Sequence, residues 1–163
     1  LMMQLYILYS FFLDGFAFAG EALVGKYAGA NDEHNLHITV RYLFLWGVGV
    51  SIFFTVLYAI GGKSFLGLLT DDRVVIDTSS TYFYWALSTP LASFAAFVWD
   101  GIMIGLIATR SMLISIIIAS ATFFLVYYVL GGVNNHILWL AFILYLFIRG
   151  LIQTMYAKKC LRV

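Results

Sequence analysis

Residues 115–130 read SIIIASATFFLVYYVL, a run with no charged side chain. A strand of a membrane barrel alternates apolar and polar residues over roughly ten positions, and this run does not alternate. In lipid every backbone amide and carbonyl must be paired internally, so a helix is the remaining way to cross. Apolar stretches of about 20 residues, long enough to span a hydrocarbon core of roughly 30 Å at ~1.5 Å per residue, recur on both sides of this one. The pattern predicts an all-α membrane protein, a bundle of about five transmembrane helices.

The composition agrees. The 163 residues are 63% apolar and 10% charged, with a mean hydropathy of +0.97, against roughly 25% charged in an ordinary soluble domain. Helices are expected at 4–29, 38–60, 79–108, 112–130 and 136–157, in one bundle covering 1–163. Between them lie the polar stretch from Asn31 to Asn35, the Gly61-Gly62-Lys63 breaker, a connection carrying Asp71, Asp72, Arg73 and Asp77, and the turn Gly131 to Asn135. Pro90 is the single proline; within the third helix it is expected to kink the chain near Leu87 without breaking it.

Lys26, Arg41, Arg110, Lys158, Lys159 and Arg162 collect on one side, with Arg149 near enough to snorkel there, and Lys63 and Arg73 on the other. The positive-inside rule makes the first side, and the C-terminus, cytoplasmic. The N-terminus then lies outside, and with the uncharged start at Leu1 this leads us to expect a preceding helix that the sequence lacks. A net charge of +1 without a basic cluster argues against nucleic acid. The lone Cys160 permits no intrachain disulfide.

Three acids stand inside the apolar segments. Asp14 and Glu21 are seven positions apart, so two turns place them on one helix face within roughly 20°. Asp100 lies in the third segment at about the depth of Glu21, roughly 12 Å from the cytoplasmic end by helical rise. A central carboxylate costs about 2.5–3.5 kcal/mol to insert and turns toward a polar partner or a watery cavity. If the helices touch, a carboxylate pair could share a proton or hold a sodium ion. The alternative is that each acid is tied to a neighbouring hydroxyl and only fixes packing.

Gly25 with Gly29, and Gly101 with Gly105, have the spacing that lets helix backbones approach closely. His34 and His37 beside Asp32 and Glu33 match no zinc pattern and read as a solvated loop, so no metal is expected. His136 after Asn134 and Asn135 reads as a helix-start turn. Trp85, Trp99, Tyr82, Tyr84, Tyr127 and Tyr128 could line a substrate path, though aromatic residues in bundles mostly pack or sit at interfaces. No membrane-protease or zinc-hydrolase motif is present, so an enzyme is not expected.

Asp14-Gly15-Phe16-Ala17, Ala19, Glu21-Ala22-Leu23-Val24-Gly25 and Gly29-Ala30 together resemble the eighth helix of the MATE (multidrug and toxic compound extrusion) transporters of the DinF-like branch. Asp100-Gly101-Ile102, Ile104-Gly105, Thr109-Arg110 and Met112 resemble that branch's tenth helix and the turn after it, and Trp139 to Gly150 suits the twelfth. The resemblance covers nearly the whole chain. It implies most of the C-terminal six-helix lobe of a twelve-helix transporter, whose N-terminal lobe would be a partner absent from this sequence. It implies export of cationic or amphipathic small molecules, driven by inward proton or sodium movement, from the inner (plasma) membrane. Asp14, Glu21 and Asp100 match the branch's acidic pattern and are the candidates for cation coupling; no cofactor beyond the coupling ion is implied. A flippase for lipid-linked sugars, which would want a more cationic cavity, and a non-transporting membrane scaffold are the competing readings.

Overall fold

The computed structural model describes residues 1–131 and 134–161, without the side chains of Lys63, Lys158 and Lys159. The charges expected of these lysines and of Arg162, and the Gly132-Val133 part of the turn, lie outside the described residues. Six helices follow in order: α1 (Met2–Gly29), α2 (Glu33–Leu69), α3 (Arg73–Thr81), α4 (Phe83–Gly105), α5 (Thr109–Val129) and α6 (Asn135–Cys160). Five of them, all but α3, are long and apolar enough to cross a membrane, and no strand is present among the described residues.

Local chemistry sets the ends, and several differ from expectation. Asp32 caps α2 by accepting from the Asn35 amide at 3.1 Å, so His34 and His37 belong to its first turns and not to a loop. His37 Nδ1 is bonded to the Glu33 carbonyl one turn back at 2.8 Å. The Gly61-Gly62 breaker acts at Gly62, whose φ of 45° and ψ of −129° suit a residue without a Cβ, yet the helix resumes and runs to Leu69. The connection expected beyond it is largely helical: Asp72 accepts from the Val74 amide at 2.9 Å and starts α3. The segment expected as 79–108 is therefore divided at Tyr82, and it stops at Gly105 because Ile107 takes a left-handed φ of 57°.

Helix α4 is the centre of the bundle. It packs against α1, α2 and α6, whereas α5 leans mainly on α6 and is the least buried span. α4 is continuous through Pro90. The proline has no amide for the Ala86 carbonyl, and the Thr89 hydroxyl donates to that carbonyl instead, at 2.7 Å. The proline's own carbonyl accepts from Tyr9 of α1 at 2.9 Å, and the same hydroxyl meets Ser51 of α2 at 2.8 Å. One fully buried phenol thus joins three helices.

Small residues set how close α1 and α4 come. A Cβ on Gly101 would stand 2.1 Å from the Ala17 carbonyl oxygen, and one on Gly105 would stand 2.7 Å from that of Glu21. The two backbones are in contact, as the spacing of these glycines permits. Gly25 faces Gly105 at 3.4 Å, but Gly29 has open space where a Cβ would be, so the close crossing does not extend to it.

Candidate functional site

The α1–α4 contact fixes the levels of the acids. The helices run parallel with Ala17 beside Gly101 and Glu21 beside Gly105, so the level of Asp100 on α1 falls near Phe16. Asp14 is then about 3 Å from that level by helical rise, and Glu21 about 7 Å below it. The expected pairing of Asp100 with Glu21 does not form. Glu21 is level with Gly105, and the Asp100 carboxylate is directed to α6.

On α6, Gly150 provides the approach: a Cβ there would lie 3.1 Å from both the Ala95 Cβ and the Ala96 nitrogen of α4. Arg149 precedes this glycine and Gln153 follows one turn later, so both side chains reach the same face. Arg149 Nη2 donates to Asp100 Oδ2 in an ion pair, and Gln153 Nε2 donates to Oδ1 at 2.7 Å. Beside them the Trp99 indole donates to Thr154 Oγ1 at 2.8 Å, and that hydroxyl donates to the Gly150 carbonyl at 2.7 Å. Arg149, Gln153 and Thr154 of α6 each bond to a side chain of α4.

The cluster is neither sealed nor fully satisfied. The Asp100 and Arg149 side chains each keep 17% of their surface exposed. Arg149 Nε and Gln153 Oε1 are buried without a hydrogen-bond partner. Asp14 is half-buried and accepts no hydrogen bond among the described residues. Tyr6, about two turns before Asp14 on α1, packs edge-on against Phe142 of α6 at 5.2 Å. Asp100, Arg149 and Gln153 therefore form one polar neighbourhood between α4 and α6, with Asp14 on α1 at nearly the same level of the bundle.

Arg149 was expected to snorkel to the cytoplasmic surface. It points inward instead, because a carboxylate lies within reach at its own depth and pairing removes two uncompensated charges at once. Gln153 carried no expectation, and its spacing of four from Arg149 was the available signal. Glu21 accepts no hydrogen bond among the described residues and stands apart from this neighbourhood. No group of three or more His, Cys, Asp or Glu side chains that could hold a metal is present among the described residues.

The family model described as MatE matches residues 1–129, more than three quarters of the chain. The chain belongs to the MatE family. The α1 and α4 segments whose residues resemble the DinF-like branch both lie inside the matched region. A curated relative, the DNA damage-inducible protein F of Escherichia coli (strain K12), is 32% identical over 150 residues, covering 92% of this chain and 33% of that protein. The chain spans about a third of the length of the curated MatE relative it matches. No solved structure matches. With five apolar helices and MatE membership, it is a DinF-like multi-pass membrane chain.

Proposed function

We propose that these helices are most of one lobe of a cation-coupled exporter of cationic or amphipathic small molecules, completed by a second lobe of the same protein. The observation that carries this reading is the Asp100–Arg149 pair, partly exposed and held within an apolar bundle. Arg149 acts as a tethered cation on the coupling carboxylate. A mobile proton or sodium ion that neutralises Asp100 removes the attraction that holds Arg149. The α4–α6 contact then loosens at this level, where Asp14 on α1 stands at nearly the same depth as an alternative acid for the guanidinium. A cation that binds one arrangement better than the other shifts the balance between them, which is what coupling requires. The excess of Lys and Arg in the sequence toward the C-terminal side supports a cytoplasmic C-terminus, and the family resemblance supports the plasma (inner) membrane. An apolar wall with a few acids suits amphipathic cations, and phosphate-bearing lipid-linked sugars would want more basic residues than this neighbourhood offers.

Drug accumulation in cells carrying the full-length protein tests it. Asp14→Asn combined with Asp100→Asn is expected to abolish efflux, and unchanged efflux would remove these acids from the coupling site. The full satisfaction of the Asp100 oxygens by Arg149 and Gln153 also favours a second reading, a scaffold whose acid only cross-links helices. Reconstituted full-length protein with no substrate-dependent ion flux would select it.

A further inference from the structure

At the opposite end of the α4–α6 contact from Asp100, the partly buried His136 is flanked by aromatic side chains that a helix-start turn does not require. The Trp85 indole Nε1 donates to His136 Nδ1 at 3.0 Å, and the Tyr84 hydroxyl approaches the same nitrogen at 3.0 Å. The Tyr82 ring lies 4.6 Å from the imidazole, and the Tyr84 ring stacks on it at 6.1 Å. An indole nitrogen can only donate. Nδ1 must therefore hold a lone pair, and the ring is neutral with its proton on Nε2. Asn134 orients the ring's backbone by accepting from the His136 amide at 3.1 Å.

We propose that His136 is a proton-binding site that latches α4 to α6 at the outer end of the lobe, separate from the carboxylate cluster. A proton taken up by the Nδ1 lone pair turns that nitrogen from acceptor into donor. The Trp85 N–H···Nδ1 bond then breaks, since two N–H groups would face each other. The Tyr84 hydroxyl oxygen accepts from the new N–H, and the Tyr82 ring face stabilises the cation. The titratable groups that face His136 from the start of α4 are Tyr82 and Tyr84, the end of α5, which packs against α6, carries Tyr127 and Tyr128, and the neighbouring Asn134 and Asn135 do not titrate. The charged residues of α3, which packs against the start of α4, are Arg73 and Asp77, with Asp72 at its cap bonded to the Val74 and Val75 amides. No acid or base is ion-paired with His136 among the described residues.

His136 precedes Arg149 by thirteen residues and Trp85 precedes Asp100 by fifteen, which separates the two tie points by about 20 Å along parallel helices. Opening one end leaves the other intact. Its consequence for transport rests on the exporter reading; the proton switch itself does not.

The test uses the full-length protein in detergent with ¹⁵N-labelled tryptophan. The Trp85 indole signal is the one lost in Trp85→Phe and displaced by His136→Gln at about pH 8. Glutamine keeps an acceptor for Trp85 but does not titrate. The expected result is a Trp85 signal that moves between about pH 8 and pH 5 in the wild type and stays fixed in His136→Gln. A signal that stays fixed in the wild type, or moves equally in both proteins, overturns the proposal. In vesicles, His136→Gln is expected to transport while losing the wild type's dependence on outside pH; transport by His136→Gln with the same dependence as the wild type also overturns it. The indole signal is read without transport, so failure of the exporter reading would not hide the answer.

Discussion

Arg149 of α6 is ion-paired with Asp100 of α4, beside the Gln153–Asp100 and Trp99–Thr154 hydrogen bonds that join the same two helices. Breaking a buried pair leaves one charge without a counterpart, and this costs more than removing both. Arg149→Leu and Asp100→Leu are each expected to lower the stability of the full-length protein by about 3 kcal/mol, less some relief from the pair's residual exposure. The double variant should cost less than the sum. Thermal unfolding in detergent measures the cycle, and strictly additive losses would mean that the pair contributes nothing specific.

The backbone contact at Gly101 makes a sharper steric prediction. Gly101→Ala places a methyl group 2.1 Å from the Ala17 carbonyl oxygen, so α1 and α4 must separate and little folded protein is expected. Gly29→Ala meets open space and is expected to stay within about 0.5 kcal/mol of the wild type. Yield and melting temperature of the two variants compare them directly.

Thr89 and Pro90 are expected to be coupled. Thr89→Val removes the hydroxyl that donates to the Ala86 carbonyl and leaves that oxygen orphaned in a buried place, at about 1 kcal/mol. Pro90→Ala returns a backbone amide to the same carbonyl. The double variant should therefore recover what Thr89→Val lost, and Thr89→Ser should lose little. Melting temperatures in detergent read the set.

At the membrane surface, the Asp32 carboxylate is held below the ordinary carboxylate range by the Asn35 side-chain amide at 2.6 Å and then by the Asn35 backbone amide. A depressed folded pKa contributes stability that is present above the unfolded value, and this contribution fades as pH falls through the folded one. Asp32→Asn keeps a capping oxygen without the charge. It is expected to flatten a small acid-side decline in stability while leaving α2 in place, as followed by circular dichroism across the acidic range.

Much of the architecture is legible in the sequence, because lipid leaves so few alternatives. Continuous apolar runs fix the five spans, and the Asp14 to Gly25 and Asp100 to Gly105 stretches point to the family that the MatE match shows. The connection after Gly62 was less legible: a glycine-glycine-lysine run reads as a turn, while the resumed helix to Leu69 depends on Leu66 reaching the core. The acids inside the bundle stand out by their charge alone. Their partners do not, because Arg149 near a helix end has two good fates, snorkelling or pairing, and only the Gly150 contact with Ala95 and Ala96 decides between them. His136 was hidden for a similar reason, since Tyr82, Tyr84 and Trp85 meet it only through the α4–α6 register.

The central claim is that a mobile cation competes with Arg149 for Asp100. Ion flux measured on addition of an amphipathic cation to vesicles containing the full-length protein tests it most directly. Wild-type vesicles should show substrate-dependent proton or sodium movement, and Asp100→Asn vesicles should show none while still binding the substrate. Equal coupled flux in the two proteins would contradict the account.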